Sequence, residues 1–156
     1  MAELPAAQPL LPVEQALAQL LAMADAAPIR EREQIALAQG SGRVLADDLI
    51  ATLDLPPWPN SAMDGYALRR DDWQGQPLRV SQRIFAGAVP EALEPGTCAR
   101  IFTGAPMPDG ADCVEMQENA RIEDDERVSF DQTLRVGQNT RPQGQESRIG
   151  DRLLMA

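Results

Sequence analysis

The chain has 156 residues, room for one ordinary domain or two small ones, and its 24 acidic against 14 basic side chains leave a net charge of −10. Every basic residue is arginine, which excludes histidine-based nucleophile systems, histidine-ligated metals, Schiff-base lysines and P-loop lysines. So acidic a field argues against nucleic acid or an anionic membrane as partner, and no stretch approaches the roughly 20 apolar residues of a membrane span. Thirteen prolines and eleven glycines beside three Phe, one Tyr and two Trp point to a turn-rich, mainly β chain with some α. Cys98 and Cys113 lack CxxC spacing and further partners, so they read as reduced, half-buried strand thiols rather than a zinc site or a disulfide. The N-terminus has no basic region followed by an apolar one, so no signal peptide is read and the cytoplasm is the expected compartment.

In chain order, residues 1–9 read as a loose arm. A helix follows: Pro12 suits a first turn, Glu14 favours the helix N-terminus, and Val13, Leu17, Leu20, Leu21 and Ala24 fall on one face. Pro28 ends it. Residues 34–37 can form a short strand, and 44–53 read as extended. The run Pro56-Pro57-Trp58-Pro59 fits neither a helix interior nor a central strand, so it is a rigid connector and a domain boundary. Beyond it, 78–80, 83–85, 97–102, 112–117, 120–123 and 127–130 read as short strands separated by Gly, Pro and Asp turns. Asp124-Asp125 reads as a hairpin turn. This spacing suggests a small barrel or a bent sheet rather than βαβ units. Residues 137–150 are polar and turn-like. The final apolar run, 151–156, reads as a buried strand interrupted by truncation.

Three clusters could carry chemistry. Asn60-Ser61-Ala62-Met63-Asp64-Gly65-Tyr66-Ala67 reads as a polar loop braced by prolines, where Asp64 could bind Mg²⁺ or act as a base; on spacing alone a turn aspartate is the plainer reading. In 100–112, a strand runs into Thr103-Gly104, where a hydroxyl and a bare backbone could meet an oxyanion, or simply make a turn. In 137–146, Arg141 is an always-charged fork, and with Arg100 it could offset the acidic field locally; a solvated loop arginine is the bland alternative.

The first cluster closely resembles the NSAMDGYA signature of molybdopterin molybdenumtransferases, the family that includes the gephyrin E domain. Residues 100–112 resemble that family's RIxTGAPxPxGAD segment, and Val114-Glu115-Met116-Gln117-Glu118 its VVMQE. Gly137-Gln138-Asn139, Arg141 and Gly144 resemble its GQNIRRRGED segment, and the order and intervals agree. There are departures. Pro59 stands where the family often has an aspartate, Arg141 alone remains of a basic triplet, and the final acid is Glu146 rather than an aspartate.

The resemblance implies a bent-sheet N-terminal region, with a β-rich domain (54–140) inserted into a discontinuous first domain (10–53 and 141–156). It implies a homodimer whose active site forms where these loops meet a later domain of the other subunit, and contact with molybdopterin adenylyltransferase. The implied reaction inserts molybdenum from molybdate into adenylylated molybdopterin, with Mg²⁺, and releases AMP. By the same resemblance Asp64 and Thr103 are catalytic, Asp64 also touching the metal. Asn60, Ser61, Gly104, Arg141 and Glu146 bind substrate. A rival reading makes the chain an inactive dimerisation or interaction module, or a scaffold paralogue; absence of turnover by the isolated chain is expected in either case.

Overall fold

The computed structural model of the chain describes residues 10–124, 126–131 and 133–156. The arm expected at 1–9 and Asp125 of the expected hairpin turn lie outside them. The chain divides into two compact units, residues 1–46 and 47–156.

In the first unit, helix α1 spans Val13–Ala26. Its first backbone bond runs from the Ala16 N–H to the Pro12 carbonyl, with Pro12 itself as the cap, so the helix starts one residue later than a first-turn proline would give. None of its residues is buried. The strand expected at 34–37 is absent. A lone extended stretch has no ladder to satisfy its backbone, and here the chain closes instead into a 3-10 turn, Leu37–Gln39, with Gln39 N–H donating to Ala36 O (2.8 Å). The Arg43 guanidinium pairs with Glu33.

The second unit is built of β-strands, with short 3-10 turns at Arg70–Asp72 and Gln117–Asn119. Its strands are β1 (Leu49–Ile50), β2 (Asn60–Ser61), β3 (Gly65–Leu68), β4 (Leu78–Ile84), β5 (Thr97–Ile101), β6 (Cys113–Met116), β7 (Ala120–Asp124), β8 (Arg127–Phe130), β9 (Thr140–Arg141) and β10 (Arg152–Leu154). Six form one sheet in the order β6-β3-β5-β4-β8-β7, with β4 and β5 parallel and every other neighbour antiparallel. The segments expected at 78–80 and 83–85 are one strand, β4, whose register slips between Val80 and Gln82; such a bulge bends a strand and strengthens its twist. β7 and β8 form the expected hairpin.

Period-two alternation splits the apolar residues between the two faces. Tyr66, Leu68, Leu78, Cys98, Cys113, Val128, Phe130 and Leu134 make one core. Ala67, Ile84, Leu93, Ala99, Ile101, Ala105 and Val114 make the other. β3 is therefore buried on both sides, as expected of a sheet's interior strand. Cys98 and Cys113 are free thiols that flank Leu68 on β5 and β6. Two strand spacings separate their backbones by roughly 9–10 Å, too far for a disulfide. Burial pushes both thiols up to about 12, with Asp112 adding to the effect at Cys113 and Arg79 opposing it at Cys98.

Two short ladders lie outside the sheet. β2 pairs with β9, and β1 with β10. The strand expected at 151–156 is present as β10 but exposed rather than buried, because its partner is a two-residue strand that is itself exposed. The extended stretch expected at 44–53 reduces to β1 in the same way. The Leu55–Pro56 peptide is cis. Leu55 pairs with Ser147, and the Asp54 carboxylate accepts from Ile149 N–H (2.9 Å) and Gln143 Nε2 (2.7 Å), so the proline connector and the 143–149 loop brace each other.

Candidate functional site

The segment 60–67 is not a loop: it is strand β2, a turn, and the start of the interior strand β3. The turn is set by Ser61, whose hydroxyl donates to Met63 O (2.6 Å) and accepts from Met63 N–H (3.3 Å). Gly65 then enters the sheet where only glycine fits. A Cβ there would lie 1.9 Å from Glu115 O and 2.9 Å from its carbonyl carbon. Asp64 is thus held between a hydrogen-bonded turn and a sterically fixed strand, and its own carbonyl accepts from Gln117 N–H (3.0 Å).

Its carboxylate meets the second cluster directly. Asp64 Oδ1 accepts from Thr103 N–H and from Thr103 Oγ1, each at 2.8 Å. These bonds favour the charged form and, with a lesser contribution from the nearby positive charge of Arg100, hold the carboxyl below its usual range against an opposing effect of burial. Thr103 and Gly104 are exposed at the end of β5. Gly104 has φ 80° and no atom within 4 Å of a built Cβ, so its face is open for close approach, while its N–H donates to Ser61 O (2.8 Å).

The third cluster docks on the same peptide. Asn60 pairs with Arg141 across β2 and β9, and Arg141 Nη1 lies 3.4 Å from Asn60 Oδ1 and 3.5 Å from Ser61 O. Ser61 O is thus a shared neighbour of Gly104 and Arg141. Asn60, Ser61, Gly104 and Arg141 thus share contacts, and the hydrogen-bonded Asp64–Thr103 pair adjoins them through the Thr103–Gly104 peptide bond, which makes one contiguous set. Asn60 and Ser61 are buried, and the Ser61 hydroxyl is spent on its own turn. Glu146 is not in that set: it is exposed, and its N–H donates to Leu55 O (2.8 Å) beside the proline connector. Among the described residues, no group of three or more cysteines and carboxylates is arranged to hold a metal ion.

Residues 11–156 match the family model described as MoeA N-terminal region (domain I and II). The chain belongs to that family. It is 43% identical over 134 residues to a molybdopterin molybdenumtransferase of Nostoc sp., covering 81% of this chain and 30% of the relative. To the molybdopterin molybdenumtransferase of Haemophilus influenzae it is 36% identical over 126 residues, covering 80% of this chain and 31% of the relative. The crystal structure of the molybdopterin biosynthesis MoeA protein from Pyrococcus horikoshii OT3 superposes with a TM-score of 0.83 at 33% identity, over 94% of this chain and 40% of that one. The chain therefore spans about a third of the length of these relatives. All the linked site residues lie inside the stretch matched to the family.

Two supporting residues escape a reading by segment. Glu115 is fully buried on β6, and its carboxylate accepts from Met116 N–H (3.0 Å), Asn119 Nδ2 (2.8 Å) and Gln138 Nε2 (3.2 Å). It anchors the 137–141 turn, together with Val114, which accepts from Asn139 Nδ2 (3.0 Å). The available signal was an acid between Val114 and Met116 in an otherwise apolar strand. Arg100, flagged only for its charge, lies over the rings of Tyr66 (5.2 Å) and Phe102 (4.5 Å) and donates to Gly65 O (2.8 Å). It bridges the strand that carries Thr103 to the one that follows Asp64.

Proposed function

We propose that this chain supplies the Asp64–Thr103–Arg141 face of a molybdopterin molybdenumtransferase, an enzyme of molybdenum cofactor biosynthesis that inserts molybdenum from molybdate into adenylylated molybdopterin and releases AMP. One observation carries this reading: Asp64, an acid of the family signature, is fixed by both donors of Thr103 and stays ionised at neutral pH. An ionised carboxylate with one oxygen engaged can use the other to orient water or a hydrated cation beside a phosphoanhydride.

Mg²⁺ keeps several waters and needs few protein ligands, so a single Asp64 oxygen fits part of such a site, with the remaining ligands coming from substrate phosphate and residues outside this chain. Bound there, Mg²⁺ would neutralise phosphate charge and let the carboxylate approach. Arg141, steadied by Asn60 and Ser61, offsets negative charge on the substrate, and Gly104 leaves room for its oxygens. Glu146 acts at most from the rim. The layout that accompanies this reading is a first domain of 10–53 and 141–156 with 54–140 inserted. The enzyme works in the cytoplasm as a homodimer, in contact with molybdopterin adenylyltransferase. In this reading the isolated chain, which spans about a third of the length of its relatives, does not turn over by itself.

The test is Asp64→Asn in the full-length protein, which keeps the side chain's shape and removes its charge. AMP release should fall roughly 10²-fold or more with the fold intact. Unchanged AMP release refutes the role of Asp64. Turnover by the 156-residue chain alone would refute the division of labour.

A further inference from the structure

The sheet carries a second feature, which shares only Arg100 with the surroundings of Asp64. A cavity of about 580 Å³ opens over the face that bears Tyr66, within the range of small-molecule pockets. Three arginines from three strands line it: Arg83 on β4, Arg100 on β5 and Arg127 on β8. Asp124 is the one acid among the lining residues. In a chain of net charge −10, this concavity therefore carries an excess of positive charge.

Asp124, opposite Arg127 in the β7–β8 register, and Asp64, near Arg100, offset only part of that charge, and two further observations bear on the remainder. Arg83 and Arg100 stand opposite each other in the β4–β5 register, and like charges in that position repel. Among the described residues the ion pairs engage Arg43, Arg70, Arg79, Arg121 and Arg152, but not Arg83, Arg100 or Arg127. Arg100 is already oriented: Nη1 donates to Gly65 O and Ile101 O, Nη2 donates to Gln117 Oε1, and the guanidinium lies over the Tyr66 and Phe102 rings, so its charge is held in place at the cavity wall. The rest of the wall is mixed: Ser81, Gln82 and Gln117 are polar, and Val80, Ile122 and Val128 give it an apolar part.

We propose that this cavity binds a small phosphomonoester: its phosphate is held by Arg83, Arg100 and Arg127, and its organic part lies against Val80, Ile122 and Val128. A dianionic tetrahedral group has oxygens for three guanidinium forks, whereas a single carboxylate satisfies one. The proposal does not rest on the proposed molybdenum insertion: Arg100 is shared with the surroundings of Asp64, but neither Arg83 nor Arg127 belongs to that machinery.

The test uses the 156-residue chain with phenyl phosphate as probe, followed by NMR at the backbone amides of Gln82, Gln117 and Val128. Phenyl phosphate should bind saturably and shift these amides. Arg83→Gln and Arg127→Gln, both at exposed side chains, should each weaken it roughly tenfold. Arg152→Gln removes the same charge outside the cavity and should leave binding unchanged. Benzoate, with the same ring on a carboxylate, should bind more weakly than phenyl phosphate. The proposal is overturned if phenyl phosphate does not bind, if benzoate matches it, if neither cavity variant weakens it, or if Arg152→Gln weakens it as much.

Discussion

The helix and the sheet make opposite use of apolar sequence. In α1, Val13, Leu17, Leu20 and Leu21 line one face at helical spacing, yet they are 84%, 55%, 63% and 58% exposed. In β3, four consecutive residues are buried on both faces. The stripe on α1 is as regular as any in the sheet, so regularity does not decide burial; a partner surface does. The β strands find theirs in one another within 47–156, and the sheet in turn fixes the site. The helix is left with an apolar face to offer to something else, consistent with the proposed homodimer.

The comparison breaks first at Gly65. Gly65→Ala would put a methyl into the Glu115 carbonyl, and both colliding groups are backbone, so no side chain can turn away. β3 and β6 must separate, and we expect loss of the native fold, read as collapsed amide dispersion in the NMR spectrum. A well-folded Gly65→Ala protein would show that the sheet is looser than its core implies. Next comes Leu68→Ala, at a fully buried side chain between the two cysteine thiols. It should cost about 3 kcal/mol in urea unfolding, transfer and cavity effects together.

These two residues also mark what could be read from the chain. Strand positions from 97 to 130 were legible because apolar residues alternate between glycine and proline turns. The joining of β4 across its bulge was not, since a bulge interrupts the period that signals a strand. Asp64, Thr103 and Arg141 were nameable, but the Asp64–Thr103 bonds and the meeting of Gly104 and Arg141 at Ser61 O are a matter of long-range pairing between β2, β9 and the Thr103 turn. Glu146 lies outside these contacts for the same reason: nearness in sequence to Arg141 does not bring its side chain to Asn60 or Ser61. The exposed faces of α1 and β10 illustrate the reverse limit, because an apolar run encodes an appetite for burial and not its satisfaction.

A smaller effect sharpens the account of the site. The Asp64 carboxyl is held below its ordinary 3.8, first by the Thr103 N–H and then by its hydroxyl. A depressed carboxyl is more ionised in the folded than in the unfolded chain. Its contribution to stability is present at neutral pH and is lost as pH falls through the lowered value. Thr103→Val removes the hydroxyl and keeps the N–H, so the Asp64 midpoint, followed by carboxyl ¹³C NMR, should rise only part of the way to 3.8. A midpoint that does not move would mean that the hydroxyl does not hold the carboxylate.

The smallest expected effect is the most direct test of the contrast between helix and sheet. Leu17→Glu puts a charge into the middle of the α1 stripe. Because Leu17 is 55% exposed in this chain, the substitution should change its unfolding free energy by no more than about 0.5 kcal/mol. Tryptophan fluorescence can follow this, since half-buried Trp73 packs edge-on against Phe130 and reports on the sheet. A loss of about 2 kcal/mol or more would mean that the stripe is buried in the isolated chain after all. In the full-length protein the same change should weaken self-association if the stripe serves the proposed dimer. The two measurements together separate a helix that stabilises its own chain from one that waits for a partner.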